Sequence, residues 1–203
     1  MTLRWSLKRT LLALAALGAV VALVVGGIGR LSTSRLGTAM DEMARSAAGL
    51  QNAMMGDMMH DALRADVLRS FFVARTAPGQ RKDVLDELAE HAGTFRSSIA
   101  AFDSLRLGGD VDRALADLRK PLETYIGTAE DLTRLAFQNP GQAEARYPEF
   151  QAAFEKLEGK MEAFGDATVA HSDQASAAGR SAQARLALLI VGVLILGAGL
   201  VLG

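Results

Sequence analysis

The sequence has no cysteine, so neither a disulfide framework nor a thiolate metal site can be built from it. Proline occurs only four times in 203 residues, and aromatic residues make up 5%. β-Branched and aromatic runs are missing from residues 30–185, which excludes a sheet as the organising element. No Gly-rich phosphate loop, nucleophile elbow or His-Glu-x-x-His pattern is present, so no catalytic chemistry is expected. A basic stripe is missing too. The formal net charge is −1, and all 23 Asp and Glu lie in residues 30–185 with all but three of the 22 Lys and Arg, so no nucleic-acid partner is expected.

What is present is apolar length at both ends. Residues 11–28 run without a charge or side-chain amide, long enough to cross a hydrocarbon core at ~1.5 Å per residue. Arg4, Lys8 and Arg9 precede this run without an acid, which places residues 1–10 in the cytoplasm. A second uncharged run begins after Arg185. The expected organisation is a cytoplasmic N-terminus (1–10), a first span (11–29), an extracytoplasmic domain (30–185) and a second span (186–203). Because the chain stops within its second apolar run, an output part is expected beyond it. Gly18-x-x-x-Ala22-x-x-x-Gly26 and Gly199-x-x-x-Gly203 are weak signals for close helix packing.

Between the spans, Thr76-Ala77-Pro78-Gly79-Gln80, Gly108-Gly109-Asp110 and Asn139-Pro140-Gly141 carry turn chemistry. They predict helices over about 30–76, 81–107, 111–138 and 142–185. Short connections make neighbours antiparallel, so the expected fold is all-α: an up-down-up-down four-helix bundle flanked by two transmembrane helices. The predicted core takes Leu85, Leu88, Ala92, Phe95, Ile99 and Phe102 from helix two, and Val111, Leu115, Leu118, Leu122, Tyr125 and Leu132 from helix three. Helix four supplies Tyr147, Phe150, Phe154, Leu157, Met161, Phe164, Thr168, His171, Ala175, Ala178 and Ala182.

The first helix is the unusual one. Alternating steps of four and three from Leu36 give Met40, Met43, Ala47, Leu50, Met54, Asp57, Asp61, Arg64, Leu68 and Phe71. This predicted core stripe puts ionisable groups at three successive positions, and Asp61 stays central at either helical period. A buried carboxylate costs several kcal/mol unless paired or hydrated. The candidate ligand-binding residues are therefore Asp57, His60, Asp61, Arg64 and Arg69, with Arg64 offering a planar fork to an anion. The alternative is that Asp61 and Arg64 satisfy each other and fix helix register.

At equal rise per residue, Asp61 falls level with Gly93, Glu123 and Glu155, and near Pro121, whose missing N–H could open a pocket. Asp86, Glu87 and Glu90, and Glu155, Glu158 and Glu162, read as solvated faces. Met54, Met55, Met58, Met59 and His60 could offer soft ligands to monovalent copper. Six methionines in one helix read more simply as adaptable core filler. His91 near the height of His60 is a weak zinc signal, and His171 is too far down the fourth helix to join them. No metal or cofactor is expected.

The layout of anchor, four-helix bundle with long outer helices and second anchor resembles the ligand-binding module of methyl-accepting chemotaxis transducers. Met58-Met59-His60-Asp61-Ala62-x-Arg64 is similar to a run in the first helix of that family. The resemblance implies a homodimer in the cytoplasmic (inner) membrane with a periplasmic bundle. It further implies a small-molecule ligand or a periplasmic binding protein as partner, with arginines of the first helix among the ligands. Coupling to a chemotaxis kinase complex would run through a cytoplasmic part absent from this chain. Sensor modules of histidine kinases and diguanylate cyclases share the layout, and a membrane-anchored helical adaptor without a ligand is the reading from another class.

Overall fold

A computed structural model describes residues 7–202, apart from the side chains at 7, 9, 10, 13, 14, 17, 194 and 196–202. Arg4, Gly203, and with them the end of the second small-residue spacing, lie outside the described residues. The chain is all-helical, with no strand among the described residues. Five α-helices follow one another: α1 (Leu7–Thr76), α2 (Arg81–Ala100), α3 (Phe102–Leu105), α4 (Gly109–Gln138) and α5 (Pro140–Leu202).

The breaks fall where the turn residues put them. Pro78 opens a one-turn 3-10 helix, Pro78–Gln80, that joins α1 to α2. Asp83 then lies in the first turn of α2, where a carboxylate complements the helix dipole. The expected second helix is cut short. It ends at Ala100, and the four-residue α3 closes on Arg106 in the left-handed region (φ 51°). Gly108 and Gly109 continue with φ 74° and 54°, a path that glycine takes without steric cost. This corner turns Leu107 into the core against α1.

The helices form two compact units, one of residues 44–174 and one of the described parts of 1–43 and 175–203. In the second of these, Met43 Sδ stands 3.5 Å from where a Cβ on Gly179 would lie. Large apolar side chains there, such as Leu23 and Ile190, are exposed. Over Gly18–Thr76, α1 contains a window long and apolar enough to cross a membrane, and none of that window is buried within the chain. An apolar surface on all sides suits lipid rather than water.

Unit 44–174 has a single core drawn from α1, α2, α4 and α5. Every predicted core residue of α4 is buried, joined by Ile126, Ala129 and Ala136. Phe150, Phe154, Leu157, Met161 and Phe164 of α5 are buried as expected, whereas Tyr147 is half-buried. On α2, Val84 takes the inward position predicted for Leu85. Farther down α5, Thr168 and Ala175 are buried, but His171 and Ala182 are half-buried and Ala178 is exposed. Contacts between neighbours run in opposite numerical order. Along α1 and α5 they pass from Arg75–Glu144 through Phe71–Tyr147 and Arg64–Phe154. Arg96 of α2 grips Glu123 of α4 at 3.0 Å and Glu130 at 3.3 Å, and its pKa is raised, chiefly by the hydrogen bonds to Glu123.

The predicted stripe of α1 is not the one that is buried. The buried row runs Ser46, Gly49, Gly56, His60, Leu63, Val67 and Ser70, with Ala53 packed against the core. Each position lies one residue before its predicted counterpart, a rotation of about 100°. The rotation brings Asp57 and Asp61 to water, sparing the cost of burying carboxylates, and it also meets a volume constraint. A Cβ on Gly56 would meet Ile99 Cδ1 at 3.3 Å and Phe95 Cε2 at 3.4 Å, and one on Gly49 would meet Leu107 Cδ1 at 2.9 Å. The bulky side chains of α2 and the corner fill space that only the small residues of α1 leave open. Met54, Met58, Leu68 and Phe72 consequently face outward, at 69%, 60%, 46% and 67% exposure.

Replacing Gly56 and Gly93 tests this account. Gly93 lies in α2, exposed, and a Cβ added there would meet nothing within 4 Å. Gly93→Ala is expected to stabilise by about 0.5–1 kcal/mol through the lower entropy of the unfolded chain. Gly56→Ala is expected to give no such gain, because the ring of Phe95 and Ile99 must move. Chemical denaturation of the two variants measures the difference.

Candidate functional site

His60 is the centre of the site, on the buried face of α1 and 3% exposed. Its ring stacks on Phe154 of α5, with centroids 4.1 Å apart and planes 9° from parallel. Tyr125 of α4 meets it edge-on at 5.0 Å, and Phe95 of α2 lies at 6.5 Å. All four core helices thus meet at one imidazole. The Tyr125 hydroxyl donates to the His60 main-chain carbonyl at 2.8 Å, which anchors α4 to α1 at the same height. Burial raises the pKa of Tyr125, so the phenol stays protonated and keeps donating.

The imidazole itself is incompletely satisfied. Its Nε2 is buried and has no hydrogen-bond partner. Burial pushes the His60 pKa below its ordinary value of 6.5, against the opposing pull of nearby carboxylates, Asp61 first among them. A neutral ring results at neutral pH. It is enclosed by aromatic rings on the core side and borders a groove between α1 and α5 on the other. The groove has a volume of about 830 Å³. Asp57 and Asp61 of α1 line it opposite Glu155, Glu158, Glu162 and Asp166 of α5. Leu50, Met54, Met161 and Phe164 contribute the apolar part of its wall.

The structure brings three of the five candidate residues together and separates the other two. Asp57, His60 and Asp61 share the groove, but both aspartates are exposed to water instead of lying on a buried seam. Arg64, one turn above, places its guanidinium carbon 4.5 Å from the Phe154 ring centroid, a cation–π contact. It does not pair with Asp61, so the layer of mutually satisfied charges is not formed. Arg69 faces α2 and pairs with Glu87. Pro121 lies in another groove, of about 340 Å³, with Asp117, Lys120 and Lys156. His91 does not approach His60; its Nδ1 lies 2.7 Å from Oδ2 of Asp66, which is buried between α1 and α2.

Sequence reasoning missed Glu158, Glu162 and Asp166 as groove residues, since helical spacing alone makes them an outer face. The height comparison that set Glu155 level with Asp61 held the useful signal. Among the described residues, no three His, Asp or Glu side chains are close enough to hold a metal ion. No family model, curated protein or solved structure matches the chain.

The buried histidine predicts a pH effect with a defined sign. Because its folded pKa lies below the unfolded value of 6.5, the unfolded chain binds the proton more tightly. His60 costs no stability well above pH 6.5 and an increasing amount as pH falls through that value toward its folded pKa. His60→Phe keeps a ring against Phe154 and cannot titrate. Between about pH 7.5 and 5.5 the variant is expected to lose less stability than the wild type, as followed by urea denaturation. A second variant, Tyr125→Phe, is expected to cost about 1 kcal/mol at any pH in that range.

Proposed function

We propose that the chain is the ligand-sensing and transmembrane signalling module of a bacterial methyl-accepting chemotaxis receptor. In this reading, residues 44–174 form an antiparallel up-down-up-down four-helix bundle. Residues 11–29 and 186–203 are two spans of the cytoplasmic membrane, the N-terminus is cytoplasmic and the bundle periplasmic. The opposite numerical order of the helix contacts supports the bundle, and Arg4, Lys8 and Arg9 support the orientation.

The observation that carries the proposal is the second apolar row on α1. Leu50, Met54 and Leu68 fall on the four-three spacing of a coiled-coil seam, with Met58 and Phe72 one residue off it and the charged Asp57, Asp61 and Arg64 on the positions between. Leu36, Met40 and Met43 continue the spacing toward the first apolar run and are exposed as well. A second copy presents the same row to this one about a twofold axis, which makes the contact self-complementary. The groove at His60 adjoins that row through Met54. A ligand there would favour one packing of α1 and α5 over another, and both helices continue without a break into the apolar runs. The unsatisfied Nε2 of His60 in that groove favours a sensor over a ligand-free adaptor. A histidine kinase or diguanylate cyclase would use the same module.

A chain without cysteine makes the dimer simple to test. Met54→Cys and Met58→Cys, each introduced alone into the full chain in membranes, are expected to give covalent dimers on mild oxidation. Glu90→Cys, on an exposed position of α2, is the control and is expected to stay monomeric. Equal cross-linking at all three positions would overturn the α1 seam. Joined to the cytoplasmic part of a chemoreceptor, residues 1–203 are expected to support kinase activity, and Met54→Glu to reduce it. A hybrid without kinase control at normal membrane levels would remove the transducer reading.

A further inference from the structure

We infer that the groove between α1 and α5 binds an extended organic polycation of the linear polyamine class. Six carboxylates line it, from Asp57, Asp61, Glu155, Glu158, Glu162 and Asp166, and no Lys or Arg does. Many acids elsewhere in the unit are matched with bases, among them Glu87 with Arg69, Glu123 and Glu130 with Arg96, and Asp117 with Lys160. Among the described residues, none of the six groove acids has an ion-pair partner. All six are exposed to water, and Glu155 alone accepts a side-chain hydrogen bond, from Gln151 at 3.0 Å, so the groove is open to a cation from outside the chain.

The second observation is independent of the acids. His60 is 3% exposed, lines the groove and keeps a buried Nε2 without a partner. An unpartnered nitrogen of a neutral imidazole can accept a hydrogen bond from an ammonium group.

The spacing selects the class of cation. Glu155, Glu158, Glu162 and Asp166 climb one side of α5 over ~16 Å, and Asp57 faces them one turn from Asp61. No three of these groups converge on one point as a metal ion requires. Successive charges are separated by roughly the 5.4 Å helical pitch. Ammonium groups joined by three or four methylenes have comparable separations. The methylenes would lie on Met54 and Met161, which contribute apolar wall between the acids. The inference rests on the sensing proposal only in taking this groove as the seat of the sensed ligand.

Titration calorimetry of the full chain in detergent, with spermidine as the probe, tests it. Saturable binding is expected, at least ten-fold weaker in the Glu158→Gln, Glu162→Gln double variant, each lost charge-assisted contact being worth up to about ten-fold. Glu90→Gln is expected to bind like the wild type. The side chains of Glu158 and Glu162 are exposed, so the double variant should melt at or above the wild-type temperature. Asp61→Asn serves as a second variant if it does not. Of the three histidines, His60 is expected to show the largest ring-signal shift by NMR on adding spermidine. Equal heats from magnesium chloride at matched ionic strength would reduce the effect to counter-ion screening and overturn the inference. So would unchanged affinity in the double variant, or no saturable binding. If spermidine fails while Met54→Cys still cross-links, the polycation is wrong and the sensor module stands. If spermidine binds and cross-linking fails, the dimeric sensor is wrong and the site stands.

Discussion

A helix with two apolar faces one residue apart can bury only one of them against its own chain, and α1 is such a helix. Its inward face has the smaller side chains, with Ser46, Gly49, Gly56 and Ser70 among its positions, whereas the outward one carries larger apolar residues together with Asp57, Asp61 and Arg64. That face wins because α2 and the corner after it bring Phe95, Ile99, Phe102 and Leu107 to bear, and rings and branched chains need recesses. A fully buried side chain of that size contributes about 1.5–3 kcal/mol. Turning the methionine row inward would also bury Asp57 and Asp61, at a cost of several kcal/mol unless they were paired. Once this rotation is fixed, the rest follows. Met54 and Met58 face outward, Asp57 and Asp61 reach water, and His60 is driven in among the aromatic rings.

The position of His60 links packing to electrostatics. Its ring is held by Phe154 and Tyr125, so it behaves as a core side chain with a buried, unpartnered Nε2, yet the residue also lines an open acidic groove. Burial favours the neutral ring and the surrounding carboxylates favour the charged one, and burial prevails. The two effects oppose each other at one residue. A change in the charge of the groove therefore reaches the junction of four helices directly. Arg64 adds a fixed positive charge to the same aromatic ring from one turn higher, held by the π face of Phe154 instead of by a carboxylate.

Much of the fold could be read from the chain. Pro78, Gly108-Gly109 and Pro140 mark the helix ends, and α4 buries all six residues that its periodicity selects. The face of α1 could not be read from periodicity, because both rows repeat with the same spacing and the methionine row holds the larger apolar side chains beside its charged ones. Gly49 and Gly56 were the available clue, since two glycines seven apart in a helix rich in alanine mark a place where something large approaches. For the site, His60 and the two aspartates were visible as an anomaly in one helix. The acids of α5 were not, since an outward row becomes a groove wall only when another helix stands beside it. Arg64 and Arg69 show the converse: their partners, Phe154 and Glu87, come from different helices, and neither is apparent from α1 alone.

The outward methionines also give the chain a redox chemistry that its lack of cysteine would seem to rule out. A thioether exposed to an oxidant becomes a sulfoxide, polar and chiral where it was apolar and flexible. Met54 and Met58 are open to that reaction, whereas Met59 and Met161 are shielded at 9% and 8% exposure. Oxidation of Met54 and Met58 would leave the folded core intact and alter only the outward surface of α1. Repair by a reductase would restore the apolar surface.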